Sequence, residues 1–460
     1  MIYFHFNKFL HHSVASIWKI SLIKSSSFTK NINNKFHLSK KYQSQGKNVW
    51  LEYSNLDAEY KPVNLGPGVP DFAPCDFITN ALKDVACGEN KFHQYAREYG
   101  HLNLVKILTK LYTRLIGHQI DLNNEIVITV GAYEALHAAI LGHVHKNDEV
   151  IIIEPFFDCY APMVRLAGGI PKFIPLKPTK TSGIIHGSDW VLDNNELESL
   201  FNEKTKMIIL NTPHNPMGKV FTINELQVIA DLCQKWNVLC LSDEVYEWLI
   251  YEPYKHVRIA SLPGMWEHTL TIGSAGKTFG VTGWRIGWVY GPANLMSNLR
   301  AVHQQCVFQN NTPCQEAVAR VLETECNRFG SKDSYFVTMP QQFKEKRDYF
   351  IKVLSDIGMI PTVPDGGYSI IADWSPLESQ IDLTSEKDTY KDYRFTKWMV
   401  KHVKLLGIPP SAFYSTEHKS MAGNYIRFCF IKKPETLIDA GEMLKAWSLN
   451  LSPIQISRHN

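Results

Sequence analysis

The 460-residue sequence predicts an α/β protein in which helices cover a mostly parallel sheet. Short apolar runs that read as strands, such as residues 126–130 and 150–154, flank a helix-like stretch at residues 133–145. Alternation of this kind is typical of parallel strands joined by crossover helices. With 45% hydrophobic and 20% charged residues, the chain can bury a large core.

The same alternation returns further along the chain. Residues 207–211, 238–242 and 269–273 read as strands, and residues 224–236 read as a helix. A second, smaller lobe is predicted from a helix at 334–354 and strands at 366–372 and 425–430. The Pro- and Gly-rich residues 65–74 form a predicted loop between an N-terminal arm and the main domain.

Composition favours a small-molecule role. The formal net charge is only +3, and no nucleic-acid-binding motif is present. Nine cysteines without CxxC spacing argue against a disulfide framework and against a metal site. Since no run of eighteen apolar residues occurs, no membrane span is predicted.

The N-terminal segment differs from the rest. Residues 1–51 contain eight lysines and no acidic residue. Basic, acid-poor segments with interspersed apolar residues are typical of mitochondrial presequences, so residues 1–45 are predicted to direct the protein to the mitochondrial matrix. The lack of arginine is atypical, and a disordered basic tail on a cytoplasmic protein is the alternative.

One lysine stands in a loop built for close approach to a ligand. The segment that begins Ser274-Ala-Gly-Lys277 and continues to Arg285 follows a predicted strand and is rich in small residues. A lysine in such a loop can serve as a nucleophile. Because an isolated lysine is more often a solvated surface residue, this prediction depends on the other motifs.

Two more motifs follow predicted strands. Asp243 and Tyr246 come at the end of one strand, where open α/β sheets collect ligand-binding groups, although an Asp there could also cap a helix. Asn211-Thr-Pro-His214-Asn215-Pro has the composition of a sharp turn, in which His214 is predicted to be structural.

Three further positions carry chemistry. The junction Val130-Gly-Ala-Tyr133 leads from a strand into a helix, whose free N–H groups can bind a phosphate. Phe157 could stack on a ligand ring or belong to the core. Arg427 lies among apolar residues of a strand, where its buried guanidinium needs an anionic partner. A ligand carboxylate would suit its planar fork, and a structural ion pair is the alternative.

In order and separation these motifs resemble those of fold-type I pyridoxal-phosphate (PLP) aminotransferases. The sequence is similar in particular to the kynurenine aminotransferase / glutamine transaminase K (cysteine-S-conjugate β-lyase) group, from about residue 49 to residue 447. The resemblance implies a PLP cofactor, a large domain with a seven-stranded sheet, a smaller α+β domain, and a homodimer with shared active sites. The expected segments are an arm and part of the small domain at 46–78, the large domain at 79–335, the remaining small domain at 336–450 and a tail at 451–460.

The resemblance also implies roles for individual residues. The cofactor contacts would be Lys277 as the Schiff-base lysine and proton carrier, Asp243 at the ring nitrogen, Tyr246 and Asn215 at the ring hydroxyl, Phe157 stacked on the ring, and Ala132, Tyr133, Ser274 and Arg285 at the phosphate, joined by Tyr95 of the other subunit. Substrate contacts would be Arg427 and Asn215, with Trp50, Gly68 and the partner's Phe308 bordering the side chain. Gln309 replaces a histidine found in some relatives, which leaves substrate preference less defined.

The implied reaction is a ping-pong transamination. Its amino donors would be kynurenine, glutamine and other large neutral or aromatic amino acids, and its acceptor a 2-oxo acid. β-Elimination from cysteine S-conjugates on the same site is an alternative outcome. A non-catalytic ligand-binding protein on the same fold is disfavoured because Lys277, Asp243, Tyr246 and Arg427 are all present.

Overall fold

The computed structural model describes residues 48–449, together with Ser39 and Tyr42. The chain divides into two compact units, Met1–Ser44 and Gln45–Asn460. In the first unit, the Tyr42 amide donates a hydrogen bond to the Ser39 carbonyl at 2.8 Å. Apart from those two residues, the predicted presequence lies outside the described residues, as does the predicted tail.

The second unit contains all the elements described below. Its helices are α1 Val49–Tyr60, α2 Asp76–Ala86, α3 Leu102–Ile116, α4 Gly131–His143, α5 Tyr160–Ala167, α6 Asn194–Ser199, α7 Ile223–Trp236, α8 Ala275–Thr278, α9 Ala293–Cys306, α10 Thr312–Asn327, α11 Tyr335–Asp356, α12 Lys391–Trp398 and α13 Pro434–Leu449. Its strands are β1 Val63–Asn64, β2 Ile126–Val130, β3 Glu149–Glu154, β4 Ile170–Pro175, β5 Lys177–Pro178, β6 Ile185–His186, β7 Trp190–Val191, β8 Thr205–Asn211, β9 Leu239–Asp243, β10 Thr269–Ser274, β11 Ile286–Tyr290, β12 Ile360–Val363, β13 Ser369–Asp373, β14 Leu405–Leu406 and β15 Tyr425–Cys429.

A seven-stranded sheet forms the centre of the unit, in the order β2-β11-β10-β9-β8-β3-β4. Strands β4, β3, β8, β9 and β10 pair in parallel, whereas β11 runs antiparallel to both β10 and β2. Every residue of β9 and β10 is buried, because helices cover both faces of the sheet. The predicted α/β class and mostly parallel seven-stranded sheet are confirmed.

A second sheet has four strands in the order β15-β13-β12-β6, with α11 packed against β12 and α13. Strand β6 comes from the segment expected to belong to the large domain, yet it pairs in parallel with β12. The four-stranded sheet therefore combines chain from both sides of the expected boundary. The four expected segment boundaries remain predictions.

Local sequence explains where the helices begin and end. Helix α7 starts with a capping box, in which the Thr222 side chain accepts from the Glu225 amide and the Glu225 carboxylate accepts from the Thr222 amide. It ends at Asn237, whose left-handed backbone stops the helix. Helix α3 ends in the same way at Gly117, which has φ +72°.

The sheet places several polar residues at one edge. Because parallel strands end at the same side of a sheet, Asn211 at the end of β8 pairs in register with Asp243 at the end of β9. Ser274 ends the neighbouring strand β10, and Ile286 at the start of β11 pairs with Val130 at the end of β2. Among the described residues, no helix combines the length and the apolar character needed to cross a membrane.

Candidate active site

A cavity of about 340 Å³ opens at this carboxyl edge. All but two of the residues predicted for the site line it. They are Trp50, Gly68, Ala132, Tyr133, Phe157, Asn215, Asp243, Tyr246, Ser274, Lys277, Arg285 and Arg427. The remaining two, Tyr95 and Phe308, do not line this cavity.

Lys277 enters the cavity from the single helical turn α8, which follows β10 directly. Its Nζ atom donates a hydrogen bond to the hydroxyl oxygen of Tyr368 at 2.9 Å. Burial raises the pKa of Tyr246, whose ring lies 5.8 Å from Nζ, and the nearby lysine opposes that shift. A primary amine is thus held among phenols whose protons stay in place.

Asp243 lies on the floor of the cavity and is buried. The Tyr160 hydroxyl donates to its Oδ2 atom at 2.6 Å, and the Asn211 side-chain amide donates to its backbone carbonyl at 2.9 Å. Burial raises the pKa of Asp243 to about 6, and the Tyr160 hydrogen bond partly opposes that shift. A carboxyl whose pKa is raised by burial is stabilised in its charged form by a cationic ligand group beside it.

A cradle for an anion lies at the start of α4. Gly131 has φ +70°, and a Cβ atom there would meet Arg285 Nη2 at 2.6 Å, so only glycine lets the guanidinium approach. Arg285 Nη2 also lies 3.5 Å from the Val130 carbonyl oxygen. The N-terminal turn of α4, the Arg285 guanidinium and the Ser274 hydroxyl therefore line one end of the cavity, as a phosphate requires.

Arg427 also lines the cavity, and it is only 2% exposed. Its Nη2 atom donates to the Gly66 carbonyl at 2.6 Å and its Nη1 atom to Asn215 Oδ1 at 3.5 Å. The Nε atom is buried without a hydrogen-bond partner. Among the described residues no carboxylate forms an ion pair with the guanidinium, although its charge acts on the carboxyl of Asp158, which accepts from Trp50. The structural ion pair considered from the sequence is therefore absent from the described part of the chain.

Aromatic rings flank that guanidinium. The carbon Cζ of Arg427 lies 5.5 Å from the Trp50 ring centroid and 5.2 Å from that of Phe413. The Trp50 indole nitrogen donates to Asp158 Oδ2 at 2.6 Å, which holds the ring in place. Burial raises the pKa of Asp158, while this hydrogen bond opposes the shift. A flat, apolar wall thus stands beside the guanidinium of Arg427.

The arrangement fits pyridoxal phosphate. An amine, a buried carboxyl on the cavity floor and an anion cradle at one end correspond to the three groups of the cofactor that need partners: its aldehyde, its ring nitrogen and its phosphate. The unpartnered Arg427 Nε atom indicates a further anionic group, as an amino-acid carboxylate would supply.

Tyr95 and Phe308 lie elsewhere on the surface. Tyr95 is 84% exposed and Phe308 49% exposed, and their rings meet edge to face at 5.9 Å. Tyr95 lines a separate cavity of about 640 Å³ together with Gln309. Within one chain, neither aromatic residue reaches the main cavity.

The sequence did not single out three residues that shape the site. Tyr160 bonds to Asp243, Asp158 bonds to Trp50, and Tyr368 bonds to Lys277. Tyr160 and Asp158 lie within three residues of Phe157. Because Phe157 was predicted to contact the cofactor, its neighbours could have been considered for the site as well. For Tyr368 the signal was the pair of glycines that precedes it at the entry to a strand.

His214 is not among the residues that line the cavity. The residue is buried, and burial, followed by the charge of Lys219, lowers the pKa of His214 to about 3. Its imidazole is therefore neutral at physiological pH. That condition is consistent with the structural role predicted for it.

Comparison with known proteins decides the family. The model of the family described as "Aminotransferase class I and II" matches residues 60–440, which is most of the chain. The chain belongs to this family. Its activity is that of an aminotransferase, as the sequence predicted.

Individual relatives agree with that assignment. The aminotransferase is 49% identical to kynurenine–oxoglutarate transaminase 3 of Homo sapiens, over 91% of this chain and 92% of the relative. It is 47% identical to kynurenine–oxoglutarate transaminase 1 of Rattus norvegicus, over 87% and 95% of the two chains.

Solved structures share the fold. The crystal structure of Bna3p from Saccharomyces cerevisiae has a TM-score of 0.84 at 33% identity, covering 90% of this aminotransferase and 99% of Bna3p. YbdL of Escherichia coli, which is described as having a methionine aminotransferase function, has a TM-score of 0.79 at 30% identity, with 89% and 100% covered.

Proposed function

We propose that this aminotransferase uses PLP, held at Lys277, to transfer the amino group of kynurenine, glutamine and other large neutral or aromatic amino acids to a 2-oxo acid. The observation that carries the proposal is the pairing of Arg427, which lacks an ionic partner among the described residues, with the Trp50 wall beside it. An α-carboxylate on the arginine would leave a large flat side chain against the indole. The two kynurenine–oxoglutarate transaminases, at 47% and 49% identity, support the same substrate class.

In this proposal each residue has one task at the reacting centre. PLP supplies, when bound, an electron-accepting ring that stabilises negative charge at the substrate's α-carbon. Asp243 holds a proton on the ring nitrogen, and its burial strengthens that interaction. The Lys277 amine takes the α-proton from the amino donor. In the reverse half of the reaction it gives a proton to the α-carbon derived from the 2-oxo acid.

Other residues bind and orient. Arg427 binds the α-carboxylate through its planar fork, and Asn215 approaches the same guanidinium at 3.5 Å. The N-terminal turn of α4, Ser274 and Arg285 hold the phosphate, which fixes the cofactor in the cavity. Phe157 lies against the ring. β-Elimination remains a prediction, because the names of the relatives describe only transamination.

A panel of amino donors and 2-oxo acids tests the substrate class. With purified protein and PLP, we expect the highest kcat/KM for kynurenine, glutamine and aromatic donors. Aspartate and alanine serve as controls, since neither side chain fills the space beside Trp50. A preference for either control would contradict the proposed substrates while leaving the aminotransferase activity intact.

We further propose a homodimer whose active sites are shared between subunits. Tyr95 and Phe308 are exposed and outside the cavity, although the family resemblance assigns both to the active site. Apolar side chains that are exposed next to one another mark interaction surfaces more often than exposed apolar side chains that are scattered singly. In the proposed dimer, Tyr95 of the partner subunit reaches the phosphate held by Ser274 and Arg285.

A mixed dimer tests this arrangement. Tyr95→Phe should weaken PLP affinity about ten- to a hundredfold, the effect of one hydrogen bond to a charged group. Chains carrying Tyr95→Phe and chains carrying Lys277→Ala are combined and the mixed dimer is isolated. Its single lysine-bearing site then receives an intact tyrosine, so its PLP affinity should return to the wild-type value. A site as weak as that of the Tyr95→Phe homodimer would show that Tyr95 acts within its own chain, or not on the phosphate at all.

Localisation is also a proposal, based on the acid-free, lysine-rich residues 1–51. We expect residues 1–45 fused to a fluorescent reporter to carry it into mitochondria. A fusion in which the seven lysines of residues 1–45 are replaced by glutamine is the control and should stay in the cytosol. Cytosolic retention of both fusions would favour the disordered-tail alternative.

A further inference from the structure

Tyr368 lines the same cavity as Lys277 and contacts its amine. It lies directly before β13, after two glycines, and is 3% exposed. Lys277 Nζ donates to its hydroxyl oxygen at 2.9 Å. None of the roles given above for the cofactor or the substrate includes this residue.

The proton of the Tyr368 hydroxyl points elsewhere. The hydroxyl donates to the backbone carbonyl of Gly68 at 3.1 Å, and it accepts from Tyr246 at 3.4 Å. Burial raises the pKa of Tyr368, so the phenol keeps its proton at neutral pH. Because that proton is committed to the carbonyl, Tyr368 can only accept a hydrogen bond from the lysine.

The position of the phenol does not depend on Lys277. Its ring packs edge to face on Tyr246 with centroids 5.0 Å apart. A Cβ atom at Gly68 would meet Tyr368 Cε2 at 2.6 Å, so the glycine leaves the space that the ring fills. The hydroxyl oxygen is therefore a fixed acceptor in the cavity.

We propose that Tyr368 is a positioning residue that holds the amine of Lys277 whenever that amine is not bonded to the cofactor. The inference rests on the proposed role of Lys277 as the proton carrier. An amine that donates one N–H to the phenol keeps its nitrogen lone pair free. As the substrate Cα–H bond breaks, a new N–H bond forms at that lone pair, and the Cα–H electron pair passes into the electron-accepting ring.

Holding the amine also reduces its freedom. A lysine side chain has several rotatable bonds. If they were free, fixing them at the moment of proton transfer would cost conformational entropy and slow the step. With the contact in place, the flexible chain is already restrained at its far end. Loss of the hydroxyl should therefore affect the proton-transfer step more than cofactor binding.

The test compares Tyr368→Phe with Tyr251→Phe. Tyr368→Phe keeps the ring packing and removes the acceptor. Tyr251 is 1% exposed, and its hydroxyl donates to the Gly367 carbonyl at 2.7 Å, one residue from Tyr368. Tyr251→Phe thus removes a buried hydroxyl that bonds to the backbone next to Tyr368, without removing a contact to Lys277. Thermal unfolding midpoints show whether the two variants are equally folded.

The first measurement uses the full-length protein without cofactor. Lysines are labelled with a trace of acetic anhydride, and mass spectrometry follows the peptide that contains Lys277. We expect labelling of Lys277 to rise about tenfold in Tyr368→Phe, because one hydrogen bond that restrains the amine is lost. Tyr251→Phe should match the wild type. Equal labelling in all three proteins would overturn the proposal.

The second measurement uses the PLP-loaded enzyme and an amino acid deuterated at its α-carbon. In Tyr368→Phe, kcat should fall about ten- to a hundredfold, with a larger deuterium isotope effect and unchanged PLP content. Tyr251→Phe should keep the wild-type isotope effect. A fall in rate without an increased isotope effect would make Tyr368 merely structural.

The two measurements separate this proposal from the proposed function. Labelling of Lys277 requires no catalysis, so it reports on the contact even if the substrate class is wrong. Retained transamination in Lys277→Ala would remove the proton-carrier role without changing the labelling result.

Discussion

Lys277→Ala is expected to abolish transamination while leaving the fold intact. The substitution removes both the amine that bonds to the cofactor and the group that carries the α-proton. Proton transfer by a positioned side chain alone contributes about 10²- to 10⁴-fold. Loss of both functions should therefore lower kcat by about 10⁴-fold or more. Steady-state transamination assays and the absorbance spectrum of bound PLP measure the two effects.

Lys277→Arg is the matched variant. It keeps a long nitrogen-bearing side chain at the same place, but a guanidinium stays protonated and cannot carry the proton. We expect it to be as inactive as Lys277→Ala. The single hydrogen bond from Nζ to Tyr368 is the only side-chain hydrogen bond described for Lys277, so both variants should unfold near the wild-type temperature. Substantial transamination by either folded variant would contradict the assignment of Lys277.

Arg427→Ala is expected to have the second-largest effect. The guanidinium is buried, and the proposed substrate carboxylate would be desolvated with it. Removing one partner of such a pair costs about 2–5 kcal/mol, or roughly thirty- to several-thousandfold in kcat/KM. The loss should appear for kynurenine and other amino acids, measured under conditions that saturate the protein with PLP.

Two controls make that result specific. Arg427→Lys keeps the charge without the planar fork, so its kcat/KM should lie between those of wild type and Arg427→Ala. The decarboxylated amine of kynurenine lacks the carboxylate, so it should react at about the same low rate with wild type and Arg427→Ala. Equal proportional losses for the amine and the amino acid would show that Arg427 supports the fold rather than binding the carboxylate.

Much of the fold could be predicted from local patterns. The helix expected at residues 133–145 is α4 Gly131–His143, and the strand expected at 238–242 is β9 Leu239–Asp243. Side-chain periodicity depends on neighbours within a few residues, so the sequence contains the necessary information. Errors of one or two residues arise at the ends, where caps and tertiary contacts compete.

Part of the site was predictable for a similar reason. Asp243 and Ser274 follow parallel strands, and parallel strands end at one edge of a sheet, so their meeting follows from topology alone. The cavity bears this out by bringing them together with Lys277. The roles of these residues remain predictions that the variants above will test.

Only the tertiary structure decided which distant side chains touch. Tyr160 and Asp243 are 83 positions apart, Lys277 and Tyr368 are 91 apart, and Trp50 and Asp158 are 108 apart. Each contact depends on how whole elements pack, and a one-residue change in packing would break a hydrogen bond of 2.6–2.9 Å. The protonation behaviour of Asp243 was likewise decided only by the tertiary structure, because its pKa is raised by burial among segments that are distant in sequence. Sequence patterns carry information about near neighbours along the chain, whereas these properties come from neighbours in space.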